Sequence, residues 1–305
     1  MDAASSEPAP APARRGGGDA QSPLRRGPEE IAAQASGENF PVALKLLPRD
    51  ARRHLQSIYG YARFVDDLGD EAPGDRLRLL DAVAADLDRL YAGRPPTLPV
   101  LAALAPTVRA KELPEQPFRD LIQANRVDQR VTRYQTWADL VGYCELSANP
   151  VGRLVLHVAG RATPGRIAQS DDVCTALQVI EHLQDIGEDH RAGRIYLPQQ
   201  DLAEYGVTDA DLAAGSASPA VRGLVAYEAR RAARLLDSGR PLVASLHGWA
   251  RLAVAGYVGG GRAAVTGIAG VHFDTLRQAV HPSRRHVIVE TVRLVTAPAR
   301  FRRPA

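Results

Sequence analysis

Cysteine is nearly absent: Cys144 and Cys174 are the two in 305 residues, far apart and without metal-type spacing. A disulfide framework is thereby excluded, and a reduced, cytosolic setting is the expectation. Lysine is as rare, occurring at Lys45 and Lys111, and arginine supplies the other basic residues. The formal net charge is only +3 and no basic run is interleaved with aromatics, so a nucleic-acid partner is not expected. No stretch approaches about 18 consecutive apolar residues, and the N-terminus has no apolar core of signal-peptide type. Neither a membrane span nor a secretory leader is expected. No GxGxxG follows a strand-like run, and the glycine run at 259–262 (GGGR) lacks the Lys-Ser/Thr of a phosphate-binding P-loop.

What remains is a helical sequence, rich in Ala, Leu, Arg and acids, with few β-branched runs and 45% hydrophobic residues. Residues 1–28 form a Pro/Ala/Gly/Ser tract without apolar periodicity, read as a disordered tail. A single all-α domain is expected over 29–297, followed by a basic end at 298–305. Pro41 and Pro48 break the segment 38–50 into short pieces. Leu55, Ile58, Ala62 and Val65 mark one face of a helix over 49–69. Further helices are expected over 75–91, 97–111, 115–130 and 137–160, the last capped by Thr136 and kinked at Asn149-Pro150. Then come 166–189, 199–205, a short one capped by Thr208, 219–246 and finally Pro282 to about Thr296. Residues 248–269 are rich in Ala and Gly.

Two stretches carry the chemistry. In YGYARFVDDLGDE (59–71), Tyr59, Arg63, Asp66 and Asp70 recur at helical spacing, and in ALQVIEHLQDIGEDHRAGRIYLP (176–198), Gln178, Glu181, His182, Asp185 and Asp189 do the same. Residues three or four apart share a helix face, so each stretch presents a stacked carboxylate pair. Two such pairs facing each other make a negative pocket suited to Mg²⁺, which is held by a few carboxylates, waters and substrate phosphates. Arg191 and Arg194 follow within reach of an anion held by the metals. Acids, cations and an arginine clamp are together what activation of a diphosphate leaving group requires. The competing reading of any one pair is a solvated helix face.

ARFVDDLGDE and LQVIEHLQDIGEDHRAGRIYLP resemble the two aspartate motifs of the squalene/phytoene synthase family, over about residues 38–296. The resemblance implies an isoprenoid-synthase helical bundle with a central active cavity. It implies that Asp66, Asp70, Asp185 and Asp189, with Asp67 assisting and Glu181 as a further candidate, bind Mg²⁺. Tyr59 and Arg63 would line the cavity, while Gln178, Arg191, Arg194 and Tyr196 would contact the substrate. Family members usually carry Asn at the position of Glu181 and Arg at that of Gln184, so this site is the more negative one.

ENFPVALKLLP (38–48) and YCELSANPVGRLVL (143–156) resemble the hydroxysqualene synthase branch of bacterial hopanoid pathways. That branch takes presqualene diphosphate from a sister synthase and releases hydroxysqualene, which a flavin-dependent enzyme reduces to squalene. The alternatives are head-to-head condensation of two farnesyl diphosphates and a non-catalytic helical partner of a sister synthase. Ala253–Gly261 would leave room for isoprenoid chains, with Tyr257 facing a carbocation, or would serve close helix packing. Asn149 would touch diphosphate or water, or hold structure beside Pro150. His182 would position water, or sit as a hydrogen-bonded core residue. Because substrate and product are lipids, peripheral contact with a membrane is a further expectation, with no anchor visible.

Overall fold

The computed structural model describes residues 23–27, 47–277 and 280–296, and within these every extended element is an α-helix. The first long helix, α1 (Arg49–Asp70), buries Leu55, Ile58, Tyr61, Phe64, Val65 and Leu68 in steps of three and four. That apolar stripe runs down the middle of the N-terminal half, with Tyr61 edge-on to Phe118 and donating to the Phe118 carbonyl. The opposite stripe, Tyr59, Arg63 and Asp66, is half-buried.

Three helices pack around α1: α2 (Arg76–Tyr91), α3 (Pro99–Lys111) and α4 (Gln116–Asp128). Buried Asp86 accepts from the Thr97 amide and hydroxyl and from the Leu98 amide, satisfying donors ahead of α3 that have no partner within the helix. The Thr136 capping box opens α5 (Trp137–Ser147), and the kink expected at Asn149-Pro150 is a break at Ala148 before α6 (Asn149–Val158).

Two sequence expectations need correction. The helix foreseen over 166–189 ends earlier: α7 (Pro164–Gln184) stops at Asp185 (φ −110°, ψ 16°), and α8 (Ile186–Arg191) continues beyond it. The helix foreseen over 219–246 is likewise two, α11 (Pro219–Ser238) and α12 (Arg240–Ser245). They part at Gly239, where a Cβ would overlap Val173 of α7, and Pro241 cannot continue the hydrogen-bond ladder. Short helices α9 (Gln199–Glu204) and α10 (Asp209–Leu212) lie between α8 and α11, the latter on a Thr208 capping box.

The Ala/Gly-rich segment is a 23-residue helix, α13 (Gly248–Gly270), packed along α14 (Arg284–Thr296). Gly259 and Gly261 serve close packing, since Cβ atoms there would meet the Thr291 backbone and the Leu177 and Leu236 side chains. Gly256 and Gly260 face open space. The apolar interior forms two clusters, one built on α1–α4 and one on α7, α11 and α13, with α4 and α6 contributing to both.

Of the expected tail, 1–22 and residue 28 lie outside the described residues, as do 38–46 and 297–305; residues 23–27 are ordered, and the expectation of disorder is corrected there. Pro23–Arg25 form one turn of 3-10 helix, and Arg26 beside it reaches α1.

Candidate active site

The first carboxylate pair is shaped by α4 lying against α1. Gly69 is buried, and a Cβ there would overlap Asn125 Oδ1. This close approach lets Asn125 donate to Asp66 Oδ1 at 2.9 Å, while Gln129 donates to the Gly69 carbonyl at 2.9 Å. Burial is the chief reason the Asp66 carboxyl is pushed up to about 7, with the charges of Asp70 and Asp128 adding to it and Asn125 opposing. Asp128, at the end of α4, rises to about 6 for the same first reason, with Asp70 adding its repulsion. Its Oδ2 accepts from the Tyr143 hydroxyl at 2.9 Å. The charge of Asp70 thus opposes ionisation of both Asp66 and Asp128.

Asp67 takes another direction. It is 2% exposed, accepts from Arg26 Nη1 at 2.7 Å and has Arg63 Nε at 2.7 Å. Two guanidinium groups flank it. Arg63 also lies 3.6 Å from Glu71.

The second pair straddles the break at Asp185. The Asp189 amide still donates to the Asp185 carbonyl at 2.9 Å, so the carboxylates stay one turn apart although the helix changes course between them. The expectation of a pair on one continuous helix is corrected to that extent. Asp185 is pushed up by burial first, then by Asp189 and Glu188. One turn earlier Glu181 is exposed on α7. His182 stacks on Tyr196 with ring centroids 3.6 Å apart, and its Nδ1 faces Asp189 Oδ2 at 3.8 Å. Gln178 Nε2 lies 3.3 Å from His182 Nε2.

Arg194 closes the gap between the pairs, Nη2 donating to Asp70 Oδ1 at 2.8 Å. The loop that delivers it turns at Gly193 (φ +80°), a backbone conformation glycine adopts without strain. Tyr134, Tyr143 and Tyr196 form an aromatic wall with centroids 5.3–5.9 Å apart. His182, Asp189, Arg194 and Tyr196 form the polar lining of a pocket at this junction.

Of the other expected residues, Arg191 is exposed and donates to the Gly187 carbonyl of its own helix. Asn149 is buried and accepts from Thr175 at 3.1 Å between α6 and α7. Tyr257 is coupled electrostatically to Cys174, a turn before Gln178 on α7, and burial pushes its hydroxyl upward. Sequence reasoning missed Asn125, Asp128, Tyr134 and Tyr143. The helix that carries the first two is polar at many other positions (Gln116, Arg119, Asp120, Gln123 and Arg126), so neither stands out in the sequence.

Among the described residues no three His, Cys, Asp or Glu side chains converge to enclose a metal. Separated carboxylate pairs with all-oxygen donors suit Mg²⁺, which takes its other ligands from water and phosphate. A cation there would offset the cost of ionising Asp66 and Asp128, which is set first by burial and then by neighbouring carboxylates.

The family model for squalene/phytoene synthase matches residues 33–286. The chain belongs to that family. It is 37% identical over 213 residues to a hydroxysqualene synthase of Rhodopseudomonas palustris, covering 68% of this chain and 71% of that protein. A hydroxysqualene synthase of Zymomonas mobilis is 35% identical (69% and 71% covered), and a phytoene synthase of Arthrospira platensis 34% (72% and 75%). In structure it resembles the squalene synthase HpnC of Alicyclobacillus acidocaldarius, with a TM-score of 0.76 at 42% identity over 81% of this chain and 94% of that one. A dehydrosqualene synthase shares the fold at a TM-score of 0.77 and 22% identity, over 90% of this chain and 98% of that one. The isoprenoid-synthase helical fold expected from the sequence is the one found.

Proposed function

We propose that this chain is a Mg²⁺-dependent hydroxysqualene synthase, converting presqualene diphosphate and water to hydroxysqualene and diphosphate. The observation that carries the reading is Arg194, held on Asp70 between two carboxylate pairs, one from each half of the chain. The similarity to hydroxysqualene synthases of two bacteria supports the choice of reaction within the family.

Asp66, Asp70, Asp185 and Asp189 would hold Mg²⁺, whose positive charge assists departure of the diphosphate. Arg194 is placed to pair with phosphate oxygens once a cation competes for Asp70. The stacked rings of His182, Tyr196, Tyr143 and Tyr134 offer π-faces beside the leaving group, a surface that tolerates a carbocation and excludes bulk water. Water adds to the cation and loses a proton. Asp128, a buried carboxyl near neutrality with Tyr143 on one oxygen, is suited to accept it.

The test is product analysis by gas chromatography and mass spectrometry with Mg²⁺ and no NADPH. Presqualene diphosphate is expected to give hydroxysqualene, and farnesyl diphosphate alone to give nothing. Presqualene diphosphate formed from farnesyl diphosphate would make the chain a condensing enzyme instead. Asp70→Asn/Asp189→Asn is expected to abolish turnover; activity surviving that double change would overturn the metal assignment, and no turnover of either substrate by the native chain would favour the non-catalytic partner role.

A further inference from the structure

Two segments remote in sequence run side by side beneath the site. The Ile195 amide donates to the Thr132 carbonyl at 2.8 Å, Gln199 to Tyr134 at 2.9 Å and Gln200 to Gln135 at 3.1 Å, with a parallel bridge between Arg133 and Ile195. This pairing sets Tyr134 against Tyr196, rings 5.9 Å apart and 18° from parallel, and carries Arg194 one residue before its start. Three backbone bonds are a short register, open to slippage by the small energies that separate strand pairings.

Both segments end at the same guanidinium. The first leads into Trp137, over whose ring the Arg231 guanidinium carbon stands at 4.4 Å. The second leads into Asp201, whose Oδ2 accepts from Arg231 Nη1 at 3.0 Å. Arg231 comes from α11 and is fixed there by Glu228 (3.2 Å) and by the Tyr227 hydroxyl (2.5 Å). The Asp201 and Glu228 side chains are 3% and 1% exposed. Burial, then a hydrogen bond with Asp201, pushes Glu228 up to about 8, so this carboxyl is largely neutral at neutral pH. Buried charges of this kind are weak sources of stability and are more readily explained by the geometry they enforce.

We propose that Arg231 is a positioning residue, pinning Trp137 and Asp201 together so that Tyr134, Tyr196 and Arg194 meet the diphosphate in register. The inference rests on the reading of the site as a diphosphate site, and the experiment separates the two. Inorganic diphosphate with Mg²⁺ is titrated calorimetrically into the native chain, Arg231→Met, Arg194→Gln and the double variant. The native chain is expected to bind, Arg231→Met to bind about tenfold more weakly with native helical content, and Arg231→Lys to recover part of the loss. Because Arg231 acts through Arg194, the double variant should bind no worse than Arg194→Gln alone.

Independent, multiplying losses would reduce Arg231 to a structural ion pair. Native affinity in Arg231→Met would overturn the proposal while leaving the diphosphate reading intact. No binding by the native chain would remove both. Should Arg231→Met fail to fold, Asp201→Asn, which leaves the guanidinium over Trp137 and loosens only the second segment, carries the same comparison.

Discussion

Arg194 donates to Asp70 across 2.8 Å, joining residues 124 positions apart. It is a direct bond between the second motif and the first carboxylate pair. With Asp70 about half-exposed, such a pair contributes little to stability, ~0–1 kcal/mol. Arg194→Gln is therefore expected to leave the melting temperature almost unchanged while lowering kcat/KM about 10- to 100-fold, or ~1.4–2.7 kcal/mol of transition-state stabilisation. Steady-state kinetics beside a thermal melt checks both halves of that expectation.

Metal affinity should depend on pH. Asp66 near 7 and Asp128 near 6 are partly protonated in neutral solution, and a cation bound to their cluster must displace protons. Mg²⁺ is expected to bind more tightly as pH rises from about 6 to 8, releasing protons as it does so. Calorimetry in two buffers of different ionisation enthalpy measures the release. Chelation should abolish turnover and Mg²⁺ restore it.

Gly69 is expected to be indispensable for a reason unrelated to chain flexibility. A methyl group there would displace the Asn125 amide that holds Asp66. Overpacking of this kind costs about 1–3 kcal/mol. Gly69→Ala should melt several degrees lower and lose activity out of proportion to its remaining folded fraction.

Glu228 should make the protein less stable toward alkaline pH. Its folded value of about 8 lies above the ordinary 4.5, so the folded state holds a proton that the unfolded chain releases. The resulting stabilisation is complete below about 4.5 and is lost as pH climbs through about 8. Glu228→Gln, which keeps the neutral shape, should melt at a temperature that changes less between pH 5 and 8 than that of the native chain. A difference of about 2–4 °C would correspond to each kcal/mol.

Much of this arrangement was legible in the chain itself. Apolar steps of three and four placed α1, α2 and α11 near their true starts, and Thr136 and Thr208 announced their caps. The paired aspartates announced the site. The breaks at Asp185 and Gly239 were not legible, because each depends on a packing partner: Gly239 is set by Val173, and beyond Asp185 the Gly187 position abuts the Leu276 carbonyl. Asn125, Asp128 and Tyr143 were missed for a related reason. An isolated amide, acid or tyrosine carries no periodic signal, and its role appears only when α4 is laid against α1 and α5. The contact of Asp67 with Arg26 was not legible either, since the two lie 41 residues apart.

The two apolar clusters bear on how the protein comes to be active at all. Asp66 and Asp70 ride on a helix of the first, while Asp185 and Asp189 follow a helix of the second, and α4, α6 and Trp249 bridge the two. Each cluster is assembled largely from neighbours in sequence, which favours early formation, whereas the Asp70–Arg194 contact must wait for a long loop to close. During refolding, helical signal should therefore return before catalysis does, and a newly made chain would spend its last kinetic step bringing its acids face to face.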